Sequence, residues 1–164
     1  MPRQQNENEK EVARAKDLTH KFEVIERHEA GLVLLGTEVK SLRESRASLK
    51  DSYCRFQGRE LFLVGVHISM YSHGTHGNHD PERPRKLLLH KQELFRLQSK
   101  VQEKGLALVP ARIYFKKGKA KVEIALAKGK KLYDRRETVK RREQDREMER
   151  AVRRGIRGDR RGAE

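Results

Sequence analysis

A chain of 164 residues with 39 Lys+Arg against 24 Asp+Glu carries a formal charge of +15, a single cysteine and no tryptophan. That length holds one ordinary domain plus an appendage, and so positive a surface calls for a polyanion, with nucleic acid the default partner. A lone Cys54 excludes an internal disulfide and fits a reducing compartment, and the longest apolar run, Leu61 to Val66, is broken by Gly65, far short of the roughly 20 residues a membrane span needs.

The start, Met1-Pro2-Arg3-Gln4-Gln5-Asn6-Glu7, has no apolar core for a secretory signal, so a cytoplasmic protein is expected. Residues 1–15 read as a flexible segment and 16–131 as the folded domain. Gly31 to Leu35 reads as a strand. Thr37 is the expected N-cap of a helix over Glu38 to Ala47 that turns Val39 and Leu42 inward. Cys54 and Phe56 then alternate against Tyr53 and Arg55, and Phe62, Val64, Val66 and Ile68 line up in a further run.

His73, His76 and His79 recur at three-residue spacing beside Asp80, a pattern that can ligate a transition metal. Gly74, Gly77 and Asn78 mark a flexible loop there, and no cysteine joins the group. A structural zinc site needs four convergent ligands, so no metal is expected. From Lys91 to Lys104 a helix carries Leu94, Leu97 and Val101 on one stripe, and Gly105 stops it. Arg112 to Phe115 forms a strand, Gly118 sits in a hairpin turn, and in the run 121–126 Val122, Ile124 and Leu126 face away from Lys121 and Glu123. Short strands with two helices predict a mainly β fold, a closed antiparallel barrel of OB-like type, since closure removes exposed edges.

The tail differs. Residues 128–164 hold 15 Lys+Arg against 8 Asp+Glu, and their few large apolar residues cannot build a core. From Leu132 to Arg154 there is no Gly or Pro, and Glu137/Arg141 and Glu149/Arg153 sit at i,i+4 in the favourable order. Such pairs contribute only a few tenths of a kcal/mol each, so residues 132–164 are expected to be disordered when free and helical when docked. Lys128-Gly129-Lys130-Lys131 lacks the spacing of a phosphate-binding loop, which excludes a nucleotide triphosphatase.

Several motifs in a fixed order resemble the small protein B family: Glu29-Ala30-Gly31-Leu32, Gly36-Thr37-Glu38-Val39-Lys40-Ser41-Leu42-Arg43, Asp51-Ser52-Tyr53, Asp80-Pro81, Arg85-Lys86-Leu87-Leu88-Leu89 and Ala127-Lys128-Gly129-Lys130-Lys131. The resemblance runs through most of residues 16–136. It implies a six-stranded OB-like barrel with flanking helices, and a non-enzymatic monomer without a cofactor that binds the tRNA-like domain of transfer-messenger RNA and brings it to stalled ribosomes. It also implies partners in the small-subunit RNA, the decoding centre and the mRNA channel, and no membrane. Relatives carry an Asn-basic-basic-Ala run before the position of His20, where this chain has Ala15-Lys16-Asp17-Leu18-Thr19.

By the same resemblance Glu29, Leu88 and Lys121 match RNA-binding positions. Lys40, Arg43, Arg85 and Lys86 are expected to join them, with Lys119, Lys128, Lys130 and Lys131 forming a phosphate track. Tyr133, Asp134, Arg135 and Arg136 match the segment that enters the decoding centre, where Tyr133 can stack on a base for ~1–3 kcal/mol. Two rivals stand beside this reading: a permanent ribosomal protein whose tail threads ribosomal RNA, and a metal-dependent nuclease built on the histidine loop.

Overall fold

The computed structural model describes residues 9–74 and 77–159, with side chains for all of these except 132, 133 and 154–159. Residues up to Gly129 form one compact unit and those from Lys130 another. The first opens with β1 (Glu9–Arg14), α1 (Leu18–Lys21), β2 (Phe22–Leu32), α2 (Gly36–Arg43) and the short β3 (Ala47–Ser48). There follow β4 (Tyr53–Gln57), β5 (Glu60–Val64), β6 (His67–Ile68), β7 (Arg85–Leu88), α3 (Lys91–Lys104), β8 (Ala107–Lys116) and β9 (Lys119–Gly129). Every pairing is antiparallel. The order runs β8-β4-β5-β7-β2-β9, and β9 pairs with β8 in turn; β1 adds to β8 beyond the reach of β4, and β3 pairs with β6 apart.

Alternation builds this sheet. Val122, Ile124 and Leu126 of β9 are fully buried, as their period of two demands, and meet Ile113, Leu108 and Ala30 in one core. The stripe of α3 covers that core through Leu97, with Leu94 and Val101 beside it, and Gly105 closes the helix in the left-handed region at φ 58°. Leu18, Val109, Ala111, Ala125 and Ala127 form a smaller cluster on the other side of β8 and β9. That cluster explains why β9 buries both faces near its end.

Several local expectations change. Residues 9–14 of the segment read as flexible are a strand, stabilised by pairing with β8 rather than by their own composition. The strand expected over Gly31 to Leu35 is the end of a longer one from Phe22, whose charged residues and bulge between Val24 and Glu26 hide its period. In β5 the buried residues are Leu61 and Leu63, not Phe62 and Val64. Gly65, at φ 78°, interrupts the run, and the phase resumes with Val66 and Ile68 inward. A Cβ at Gly65 would lie 3.2 Å from the Asp51 carbonyl, so both the conformation and the space require glycine.

The N-cap of α2 is Leu35, not Thr37, because the Glu38 carboxylate reaches back to the Leu35 N–H at 2.8 Å. The helix ends at Arg43, where Ser45 turns left-handed and the chain enters β3.

The second unit is α4 (Leu132–Asp159), a single 28-residue helix. Thr138 donates to the Asp134 carbonyl at 2.8 Å, and the Lys130 ammonium reaches the Thr138 hydroxyl at 3.0 Å. Among the described residues no helix is long and apolar enough to cross a membrane.

Candidate nucleic-acid interface

The outward residues of β2, β9 and β8 share one face by register. Glu29 lies opposite Glu123, which lies opposite Arg112; Gly31 lies opposite Lys121, which lies opposite Tyr114; Lys119 faces Lys116. The row continues onto β7, where Leu88 pairs with Gly31. A Cβ at Gly31 would come within 3.3 Å of the Leu88 Cβ, so the glycine lets Leu88 lie flat across the strand. Leu88 is 52% exposed, and Val33, just beyond β2 with its N–H on the Lys86 carbonyl of β7, is exposed as well. An apolar strip therefore adjoins a field of lysines, the combination that an RNA with unstacked bases requires.

The charges on this face are organised. Tyr114 points outward, yet its ring is covered by the Arg112 guanidinium 4.3 Å from the ring centroid, and only 2% of the residue is exposed. Its hydroxyl donates to Oε2 of Glu29, and the Lys116 ammonium donates to the same oxygen at 3.0 Å. The Tyr114 hydrogen bond, aided by Lys116, holds the Glu29 carboxyl below the usual range despite partial burial. Burial and the ionised Glu29 together push the Tyr114 phenol up, so it remains a donor. Arg112 also binds Glu123 at 3.0 Å and Glu9 at 3.2 Å, and Arg27 pairs with Glu123.

The expected residues are distributed unevenly over this surface. Glu29, Leu88, Lys119 and Lys121 come together on the face, and exposed Lys128 lies further along β9. Lys86 is on β7 and pairs with Glu60. Lys40 and Arg43 are exposed on α2, Lys40 standing 5.4 Å over the Tyr71 ring. Lys130, Lys131, Asp134, Arg135 and Arg136 belong to the second unit. Tyr133 lies in α4, with its side chain outside the described residues.

Arg85 corrects one expectation. It is fully buried, ion-paired to Glu38 at 2.9 Å and bonded to the carbonyls of Val66 and Pro81, so its guanidinium faces the interior rather than a ligand. Alternation requires this, because Leu87 beside it on β7 is inward as well.

In the histidine loop, His79 is buried with Nδ1 on the Thr37 hydroxyl and Nε2 on the Ile68 carbonyl, each at 2.9 Å. Nε2 donates to the carbonyl and Nδ1 is taken by the hydroxyl, so neither nitrogen is open to a metal. His73 packs edge-on against Tyr71, while His76 lies outside the described residues. No metal-binding cluster occurs among the described residues.

Nothing in the sequence pattern singled out Tyr114 or Arg112. The only available signal for Tyr114 was its even spacing from Arg112 and Lys116 on a strand.

The family model of the SmpB protein matches residues 12–154. The SsrA-binding protein of Syntrophobacter fumaroxidans is 59% identical over 139 residues, covering 85% of this chain and 86% of the relative. That of Desulforudis audaxviator is 56% identical over 147 residues, covering 90% and 96%. A solved chain from "tmRNA-SmpB: a journey to the center of the bacterial ribosome" superposes with a TM-score of 0.61 at 49% identity, covering 73% of this chain and 84% of that one.

Proposed function

The chain belongs to the SmpB family, and from that membership we propose that it binds the tRNA-like domain of transfer-messenger RNA and delivers it to stalled ribosomes in the cytoplasm, without catalysis. The observation that carries the reading on this chain is the face on which Glu29, Leu88 and Lys121 meet, acceptor, apolar platform and cation in adjoining rows. The pairing circuit from β8 round to β9 supports a closed six-stranded OB-like barrel beneath that face. Lys86, Lys119, Lys128, Lys40 and Arg43 extend the positive field for phosphates, and Arg85 acts only as a support.

The tail takes the second role. A 28-residue helix spans ~42 Å at 1.5 Å per residue, a length suited to an empty mRNA channel. Lys130 and Lys131 lead into it, with Tyr133, Asp134, Arg135 and Arg136 in its first turns for the decoding centre. Its stabilisation is local and weak, so the free tail exchanges with disordered states and settles as a helix on RNA.

Sequencing the RNA that co-purifies with a tagged copy tests the proposal, one dominant small RNA being the expected result. Bulk ribosomal RNA, retained with ribosomes through a high-salt wash, would instead establish the permanent ribosomal protein.

A further inference from the structure

The Glu29 carboxylate is used asymmetrically. Both protein donors, the Tyr114 hydroxyl and the Lys116 ammonium, go to Oε2. Among the described residues no donor reaches Oε1, and the side chain is 38% exposed. Such a carboxylate is fixed in direction by one oxygen and offers the other to a ligand. Two residues along the same strand face, Gly31 contributes no side chain, and Leu88 fills the opposite position. Diagonal neighbours of this kind lie ~7–8 Å apart, about the width of a nucleobase.

We propose that Tyr114 and Lys116 are positioning residues that commit Oε2 of Glu29 to the protein, so that Oε1 accepts one exocyclic amino N–H from an unstacked base lying along Leu88. The inference rests on the proposed RNA-binding reading of this face. Its chemistry follows from the count of acceptors. A guanine that donated through both N1 and N2 would need both carboxylate oxygens, and one of them is taken. A single amino group on cytosine, adenine or guanine needs only one. The apolar Leu88 favours a flat ring over a ribose, whose edge is polar throughout, while Lys121 and Lys116 stand where the flanking phosphates would run. Tyr114 suits its task because Arg112 clamps its ring and burial keeps its phenol protonated. The neighbouring charges on Glu29 are Lys116 on β8 and Lys121 and Glu123 on β9.

The test uses the full-length protein and a transcript of the tRNA-like domain carrying sparse analogues. Inosine, purine riboside and zebularine each remove one exocyclic amino group, and 2′-deoxynucleotides form the ribose arm. In the wild type, deamination at one position should interfere with binding, and the interference should vanish in Glu29→Gln. Affinity should fall about tenfold in Glu29→Gln and about threefold in Tyr114→Phe, the scale of a charge-assisted hydrogen bond and of its partial misalignment. Tyr114→Phe removes no cation, so its salt slope should match the wild type, and the Glu29 carboxyl should titrate higher by NMR. Lys116→Met, half-buried at its stem but outside the core, should also raise that titration while lowering the slope by about one. Unchanged affinity and titration in both variants would overturn the positioning role. Interference from a 2′-deoxy position that depends on Glu29 would overturn the base assignment. A wild-type protein that fails to bind the transcript would overturn this inference and the proposed function together, whereas the other failures leave the latter standing.

Discussion

Replacing Glu38 by Gln tests how this sheet is held together. Glu38 is fully buried and accepts from the Arg83 guanidinium at 2.9 and 2.5 Å, from Arg85 at 2.9 Å and from the Leu35 N–H at 2.8 Å. Burial by itself would raise its carboxyl, but the hydrogen bonds from Arg83, Leu35 and Arg85 outweigh that and hold it below the usual range. Glutamine keeps the volume and one acceptor, then turns an amide NH₂ toward a guanidinium. Arg85 is left as a buried cation without a counterion, which costs about 3–5 kcal/mol. For a unit of this size that is a fall in Tm of roughly 12–20 °C.

Urea unfolding followed by far-UV circular dichroism and by amide exchange of β9 measures the loss. A Glu38→Leu/Arg85→Met double variant, which removes both charges, should recover most of it. The folded carboxyl titrates below the unfolded one, so its stabilisation is complete above the unfolded pKa and is lost as pH falls through the folded value. The gap between wild type and variant should therefore narrow in acid. A loss under about 1 kcal/mol at an unchanged m-value would refute the reasoning and make the network energetically neutral.

Lys121→Ala should weaken transfer-messenger RNA binding and lower the log–log salt slope by about one, and an unaltered slope would remove Lys121 from the phosphate track. Gly31→Val should push Leu88 off the strand, given the 3.3 Å available to a Cβ, and reduce RNA affinity in a gel-shift assay. Equal affinity would deny Leu88 its part in the site. Truncation after Lys131 removes a separate unit, so RNA affinity should fall only by an electrostatic share while peptide tagging in a reconstituted translation system is lost. In the same system Tyr133→Ala should fail partly and Tyr133→His should be tolerated, because both rings stack; full tagging by the truncated chain is the contrary result.

Local period alone revealed α3 and the 121–126 run of β9, because their large apolar residues repeat at 3.6 and at 2 and point into one core, whereas the burial of Ala125 and Ala127 on the other face of β9 left no such mark. The same rule explains the failures. In β2 a bulge and a run of charges mask the alternation, and in β5 the left-handed Gly65 shifts its phase by one residue. The resemblance named Glu29, Leu88 and Lys121 as expected RNA-binding positions, and the register of β2, β7 and β9 brings these three onto one face. Only the tertiary structure could separate Arg85 from Lys86, neighbours in one basic run of which the first turns inward. It also supplied the partners: Glu38 meets Arg85 across 47 residues of chain, and Tyr114 meets Glu29 across 85. Periodicity tells which side of a strand a residue occupies, but the pairing of distant strands decides which opposing charge or ring stands there, and so whether an arginine is a brace or a ligand contact.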